Sequence, residues 1–127
     1  MTNLMPEFNF EKLEVWKKTM VLVKAVYQNL TSFPKLENYG LTDQMRRAVT
    51  SILLNIAEGN GRYGNKEFIQ FLYQARGSLF ETVACLKLAE ELKYLTPQQV
   101  VPLLQQTHEI NRMLSGLINY LKKKTSQ

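Results

Sequence analysis

Gly59, Gly61 and Gly64 stand at G-x-G-x-x-G spacing in the stretch EGNGRYG. Such a run cradles a dinucleotide pyrophosphate when a strand precedes it and a helix follows, because glycine lets the backbone approach and a helix N-terminus attracts anions. Here the preceding residues Ser51 to Ala57 continue a pattern that reaches back through Val49 and Met45, too long for an ordinary strand. The acid expected about 20 residues further on would be Glu81, itself inside a helical pattern. The stretch therefore reads as an inter-helix turn whose glycines supply positive φ. A weaker anion site remains. Arg62 and Lys66 flank the start of the next helix, where free N–H groups and the dipole favour a phosphate of RNA or DNA.

Other chemistry is sparse. His108 is the single histidine, and the triplet before it is Gln105-Gln106-Thr107, so the Glu-x-x-His of a helical-bundle metal site is absent. Helical ribonucleases that carry Arg before His have the order opposite to His108 and Arg112. Cys85 shares a stripe with Ala75, Thr82 and Ala89, as a small core residue does. Ser51 and Ser78 have no recognisable base. No catalytic residue, metal or cofactor is expected. Arg46 and Arg47 read either as salt-bridge arginines, with Glu58, Glu67 and Glu81 as acids in range, or as nucleic-acid contacts. Arg76 reads as structural or interfacial, and Gly77 as a point of close helix approach. Lys122, Lys123 and Lys124 suit salt-sensitive phosphate contact, or solubility.

Composition sets the frame. The 127 residues fit one domain and carry a net charge of +5, with a pI near 9.4. Three of those charges lie in the Lys122–Lys124 run. The remaining excess permits an anionic partner without demanding one. The lone Cys85 forms no internal disulfide, no signal peptide opens the chain, and no apolar run reaches the roughly 20 residues of a membrane span. A cytoplasmic protein with no membrane partner is expected.

The elements that must position these residues are helices. Apolar residues step by three and four from about Asn9 to Phe33, Thr42 to Glu58, Asn65 to Lys93, and Thr96 to the basic tail. Thr42 is the expected N-cap of the second helix and Gly59 its stop. Thr96-Pro97-Gln98-Gln99 is a capping box with proline at the first helical position. Nothing alternates with period two, and the connections are short. The expectation is an all-α, antiparallel up-down-up-down four-helix bundle over residues 1–127, with a short arm at about 1–8 and a basic tail at about 122–127.

The first helix carries two apolar stripes. Leu13, Trp16, Met20, Val23, Tyr27 and Leu30 form the expected core seam; Val15, Leu22, Val26 and Phe33 form another. Leu53 and Leu54 on the second helix, and Ile69, Tyr73 and Phe80 on the third, also depart from their seams. A lone bundle would expose such groups, which monomers avoid. Val15, Leu22, Val26, Leu53, Leu54, Ile69 and Tyr73 are therefore the expected oligomer interface.

Several stretches taken together resemble a known family. They are Leu13-Glu-Val-Trp-Lys-Lys, Phe33-Pro-Lys, Tyr39-Gly-Leu-Thr-Asp-Gln-Met-Arg-Arg-Ala, Ser51-Ile-Leu-Leu-Asn-Ile-Ala-Glu-Gly-Asn-Gly-Arg62, Glu67-Phe68 and Gly77-Ser-Leu-Phe-Glu81. The chain looks like the four-helix-bundle family named after intervening sequences in bacterial large-subunit ribosomal RNA genes. The resemblance implies a homo-oligomeric ring, typically a pentamer. It also implies kinship to accessory proteins of retroelement reverse transcriptases, which bind nucleic acid on a basic surface. It carries over no catalytic residue. Gly64 stands where relatives often have a Ser or Thr cap, and Val83 where many have an acid. The expected function is a non-enzymatic, ring-forming protein that binds RNA, DNA or a ribonucleoprotein through Arg46, Arg47, Arg62, Lys66 and Lys122–Lys124. The alternative is a scaffold or accessory subunit that docks a partner protein without touching nucleic acid.

Overall fold

The computed structural model describes residues 5–125, so the expected arm and tail lie partly outside the described residues. Four helices run in order: α1 over Glu14–Leu30, α2 over Leu41–Asn60, α3 over Asn65–Glu91 and α4 over Pro97–Thr125. Short 3₁₀ turns at Asn9–Lys12 and Lys35–Glu37 precede α1 and α2. Among the described residues there is no strand.

Cross-contacts fix the directions. Ser78 of α3 meets Ser51 of α2, while Phe71 lies against Gly59, so residue numbers fall on one helix as they rise on the other. Arg76 meets Ser115 while Lys122 lies over Tyr73, which makes α3 and α4 antiparallel as well. Asn9, before α1, bonds Asn60 at the end of α2 at 3.2 Å, and Ser32, after α1, reaches the carbonyl of Tyr94, ahead of α4, at 3.4 Å. Each helix packs on two neighbours, in the cyclic order α1, α2, α3, α4. This is the up-down-up-down bundle.

The ends of the helices depart from expectation in physical detail. The first helix does not begin at Asn9. A 3₁₀ turn forms there, with Glu11 accepting the Phe8 N–H at 2.7 Å, and extended Leu13 leads into α1. Thr42 is not the cap of α2: it lies inside the helix, buried, while the Glu37 carboxylate accepts the Leu41 N–H at 2.9 Å. Gly59 does not stop α2 either. The helix runs through it to Asn60, and an added Cβ there would sit 2.5 Å from the Phe71 Cβ. Gly59, not Gly77, is the point of close helix approach; a Cβ on Gly77 would meet nothing within 4 Å. Gly64 caps α3 at φ 123°, a backbone conformation that L side chains rarely adopt. The Thr96 capping box forms as expected: Gln99 donates its backbone N–H to the Thr96 hydroxyl, and Gln99 Oε1 accepts the Thr96 N–H. Pro102 lies within α4 on its exposed side, where water can satisfy the carbonyl that loses its partner.

The core corrects the assignment of the two α1 stripes. Val15, Leu22 and Val26 are buried within the single chain, together with Thr19, Leu30 and Phe33. Ile69 of α3 is buried too. These side chains meet the chain's own core and are not available to a second copy. Of the stripe expected to be the seam only Leu30 is buried; Leu13, Trp16, Met20 and Val23 are half-buried shoulders, and Tyr27 is exposed. Thr19 can occupy the inward line because its hydroxyl donates to the Val15 carbonyl at 2.7 Å. Of the expected interface residues, Leu54 is exposed, and Leu53 and Tyr73 are half-buried.

Candidate phosphate-binding surface

The expected basic residues fall into two groups at opposite ends of the bundle. Arg46 and Arg47 lie near the start of α2, whereas Arg62 follows its end. Fifteen residues of near-continuous helix separate Arg47 from Arg62, about 22 Å at 1.5 Å per residue. The turn from Arg62 to Lys66 is also where α4 finishes: Tyr63, Gly64, Lys66, Glu67 and Thr125 line one shallow hollow. Lys122, Lys123 and Lys124 form the last turn of α4 beside it. Cations there also complement the negative end of the α4 dipole.

Their electrostatic settings differ. Asp43, in the first turn of α2, binds both arginines, with Oδ1 3.2 Å from Arg46 and Oδ2 3.2 Å from Arg47. The acids expected for this pair, Glu58, Glu67 and Glu81, are not its partners. Glu58 takes Arg62 instead, at 2.9 Å, and the Arg62 guanidinium lies over the Phe71 ring at 4.8 Å. Lys124 lies over the Tyr120 ring at 4.9 Å. These pairs are exposed, so each contributes little to stability, but each carboxylate offsets charge that a phosphate would otherwise meet.

Arg76 was legible in the sequence as a structural or interfacial residue, and its surroundings say more. It donates to the Ser115 hydroxyl at 3.3 Å and stands over the Tyr73 ring at 5.1 Å. Lys122 stands over the same ring at 5.3 Å. One phenol thus gathers two cations from two helices through its π-face, and the Arg76 partners are neutral.

The remaining candidates do not assemble a reaction centre. Cys85 is buried, and burial, with Glu81 adding to it, raises its thiol above the ordinary range, opposite to what a nucleophile needs. Ser78 donates to Ser51 Oγ at 2.8 Å, and Asn55 Nδ2 donates to the same oxygen at 3.0 Å, a polar pair without a base. Among the described residues, no group of three or more His, Cys, Asp or Glu could hold a metal ion. Among them, too, no helix is long and apolar enough to cross a membrane.

Comparison with known proteins adds the following. The model of the 23S rRNA-intervening sequence protein family matches residues 11–116. Among solved structures, the chain is similar to a protein of unknown function from the S23 ribosomal protein family of Bacteroides thetaiotaomicron. The two share 25% identity at a TM-score of 0.76, over 82% of this chain and 97% of that one. No curated protein matches.

Proposed function

The chain belongs to the 23S rRNA-intervening sequence protein family, and from that premise we propose that it is a non-enzymatic protein that binds RNA or DNA as a homo-oligomeric ring in the cytoplasm. The observation that carries the reading is the convergence of Arg62, Lys66 and the Lys122–Lys124 turn at one end of the bundle. Phosphate contact by clustered lysines and arginines needs no buried constellation of ionisable groups. Arg46 and Arg47 supply a second, partly compensated contact at the far end, since both lean on Asp43. Assembly is supported by apolar side chains left in solvent: Leu54 on α2, Phe80 and Leu88 on α3, and Val21 on α1. A closed ring of five covers such patches on every subunit and repeats the basic end around an axis.

The test is filter binding of structured RNA and of duplex DNA over a salt series, with light scattering on the same sample. Affinity that falls steeply and linearly in log salt supports the reading. No retention of either polymer at low salt removes it. The second reading, a scaffold for a partner protein, is favoured by Leu36 and Tyr39, which are 79% and 99% exposed in the α1–α2 connection, away from the lysine cluster. Co-purification of a protein without nucleic acid, abolished by Tyr39→Ala, would favour it.

A further inference from the structure

Resting on the nucleic-acid reading above, we infer that the phosphate backbone lies along the seam between α3 and α4, rather than along α2, where Arg46 and Arg47 stand. The seam is organised by Tyr73. Arg76 and Lys122 reach its ring from opposite helices at 5.1 and 5.3 Å, and Ser115 accepts from Arg76 at 3.3 Å. Lys122 follows Ser115 by seven residues, two helical turns, so both lie on the α4 line that faces α3. Arg112 precedes Ser115 by three residues and stands exposed beside the same line.

Two acids of these helices, Glu109 and Glu81, are turned to other flanks. Glu109 reaches Lys18 of α1 at 3.2 Å. Glu81 lines a hollow on the α2 side with Gln44, Arg47 and Ala48. On α2 the situation is reversed: Asp43 and Glu58 hold Arg46, Arg47 and Arg62. A polyanion approaching α2 must first displace these carboxylates, whereas at Tyr73 the partners of Arg76 are a ring and a hydroxyl. Charge without a counter-acid releases the most counterions on binding. Beyond Lys122 the seam opens onto the lysine cluster of the last turn of α4.

The partner is a nucleic acid and not an acidic protein segment, because the seam offers cations and a hydroxyl to successive phosphates and an aromatic ring beside them. The test uses full-length protein, a duplex RNA and the corresponding single strand. Arg112→Glu should weaken binding about tenfold near 0.1 M salt and reduce the salt slope by about one phosphate. Arg47→Glu, at the contact already compensated by Asp43, should weaken binding and reduce the slope by less than Arg112→Glu does. Arg76→Gln should act in the same direction as Arg112→Glu, with helicity and assembly size checked in parallel. Loss of slope for both polymers identifies the backbone as the ligand; loss for the duplex alone identifies helical geometry as well. If Arg47→Glu abolishes binding while Arg112→Glu leaves it intact, the seam is wrong and the nucleic-acid reading survives. If the unaltered protein retains neither polymer, both fall together.

Discussion

Gly59 and Phe71 touch so closely that α2 and α3 have no room for a methyl group between them: a Cβ on Gly59 would stand 2.5 Å from the Phe71 Cβ and 3.0 Å from Phe68 Cδ1. A contact of this kind holds two backbones at a set separation. It also explains why a residue that disfavours helix sits inside one.

Gly59→Ala should therefore destabilise the fold by about 1–3 kcal/mol, the usual range for overpacking. Gly116→Ala, in a helix interior with nothing within 4 Å, should stabilise it by about 0.5–1 kcal/mol through helix propensity. Thermal melts of the two variants should move in opposite directions. A common direction would contradict the packing described.

Leu22→Ala should cost about 2–5 kcal/mol, because Leu22 is fully buried in the subunit core. Leu54→Ala, at 62% exposure, should leave urea unfolding of the subunit within about 0.5 kcal/mol. If Leu54 lies between copies, the same change lowers the assembly size seen by light scattering. Equal costs at the two positions would overturn the exchange of stripes on α1.

That exchange marks how far the sequence could be read. Periodicity announced four helices, their order and their short links, and these form. It also announced two stripes on α1, but a period says nothing about which stripe turns inward. Steps of three and four suggested the line of Trp16 and Met20. The packing took the line with Thr19, whose hydroxyl is satisfied by its own helix and so costs little to bury. Caps failed where the acceptor came from outside the helix: Glu37, from the preceding 3₁₀ turn, does for α2 what Thr42 was expected to do. Among the basic residues, sequence showed the cations but not their counter-acids. Asp43 was not singled out as the acid of Arg46 and Arg47, and the two cations over Tyr73, Arg76 and Lys122, come from distant parts of the chain.

Tyr94 donates its hydroxyl to Glu37 Oε2 at 2.9 Å, and this bond, with a smaller contribution from burial, raises the phenol above its ordinary value of 10.0. Burial likewise raises Cys85 above 9.0. In both cases the folded state holds the proton that the unfolded chain releases first. Their stabilisation is complete below those ordinary values and is lost as pH rises through the raised ones. Urea midpoints should be flat with respect to these groups up to about pH 9 and fall beyond it. Tyr94→Phe and Cys85→Ala should each flatten the fall. A midpoint that rises above pH 10 would contradict the assignment.

Thr96→Ala removes the hydroxyl that accepts the Gln99 N–H at 3.2 Å at the start of α4. The loss should be about 1 kcal/mol, the usual cost of an N-cap. Thr96→Ser should restore it. Hydrogen exchange at Gln99 is the local readout, and unchanged protection there would argue against the cap.

The chain's one tryptophan is Trp16. Its indole N–H is buried without a hydrogen-bond partner, and its ring meets the edge of Phe10 at 5.2 Å and 63°. Phe10 belongs to the 3₁₀ turn ahead of α1, so the turn shields the indole from water. The protein thus carries its own optical gauge: a red shift in emission, with the far-ultraviolet signal unchanged, would announce that the leading turn has lifted away while the bundle beneath it stands.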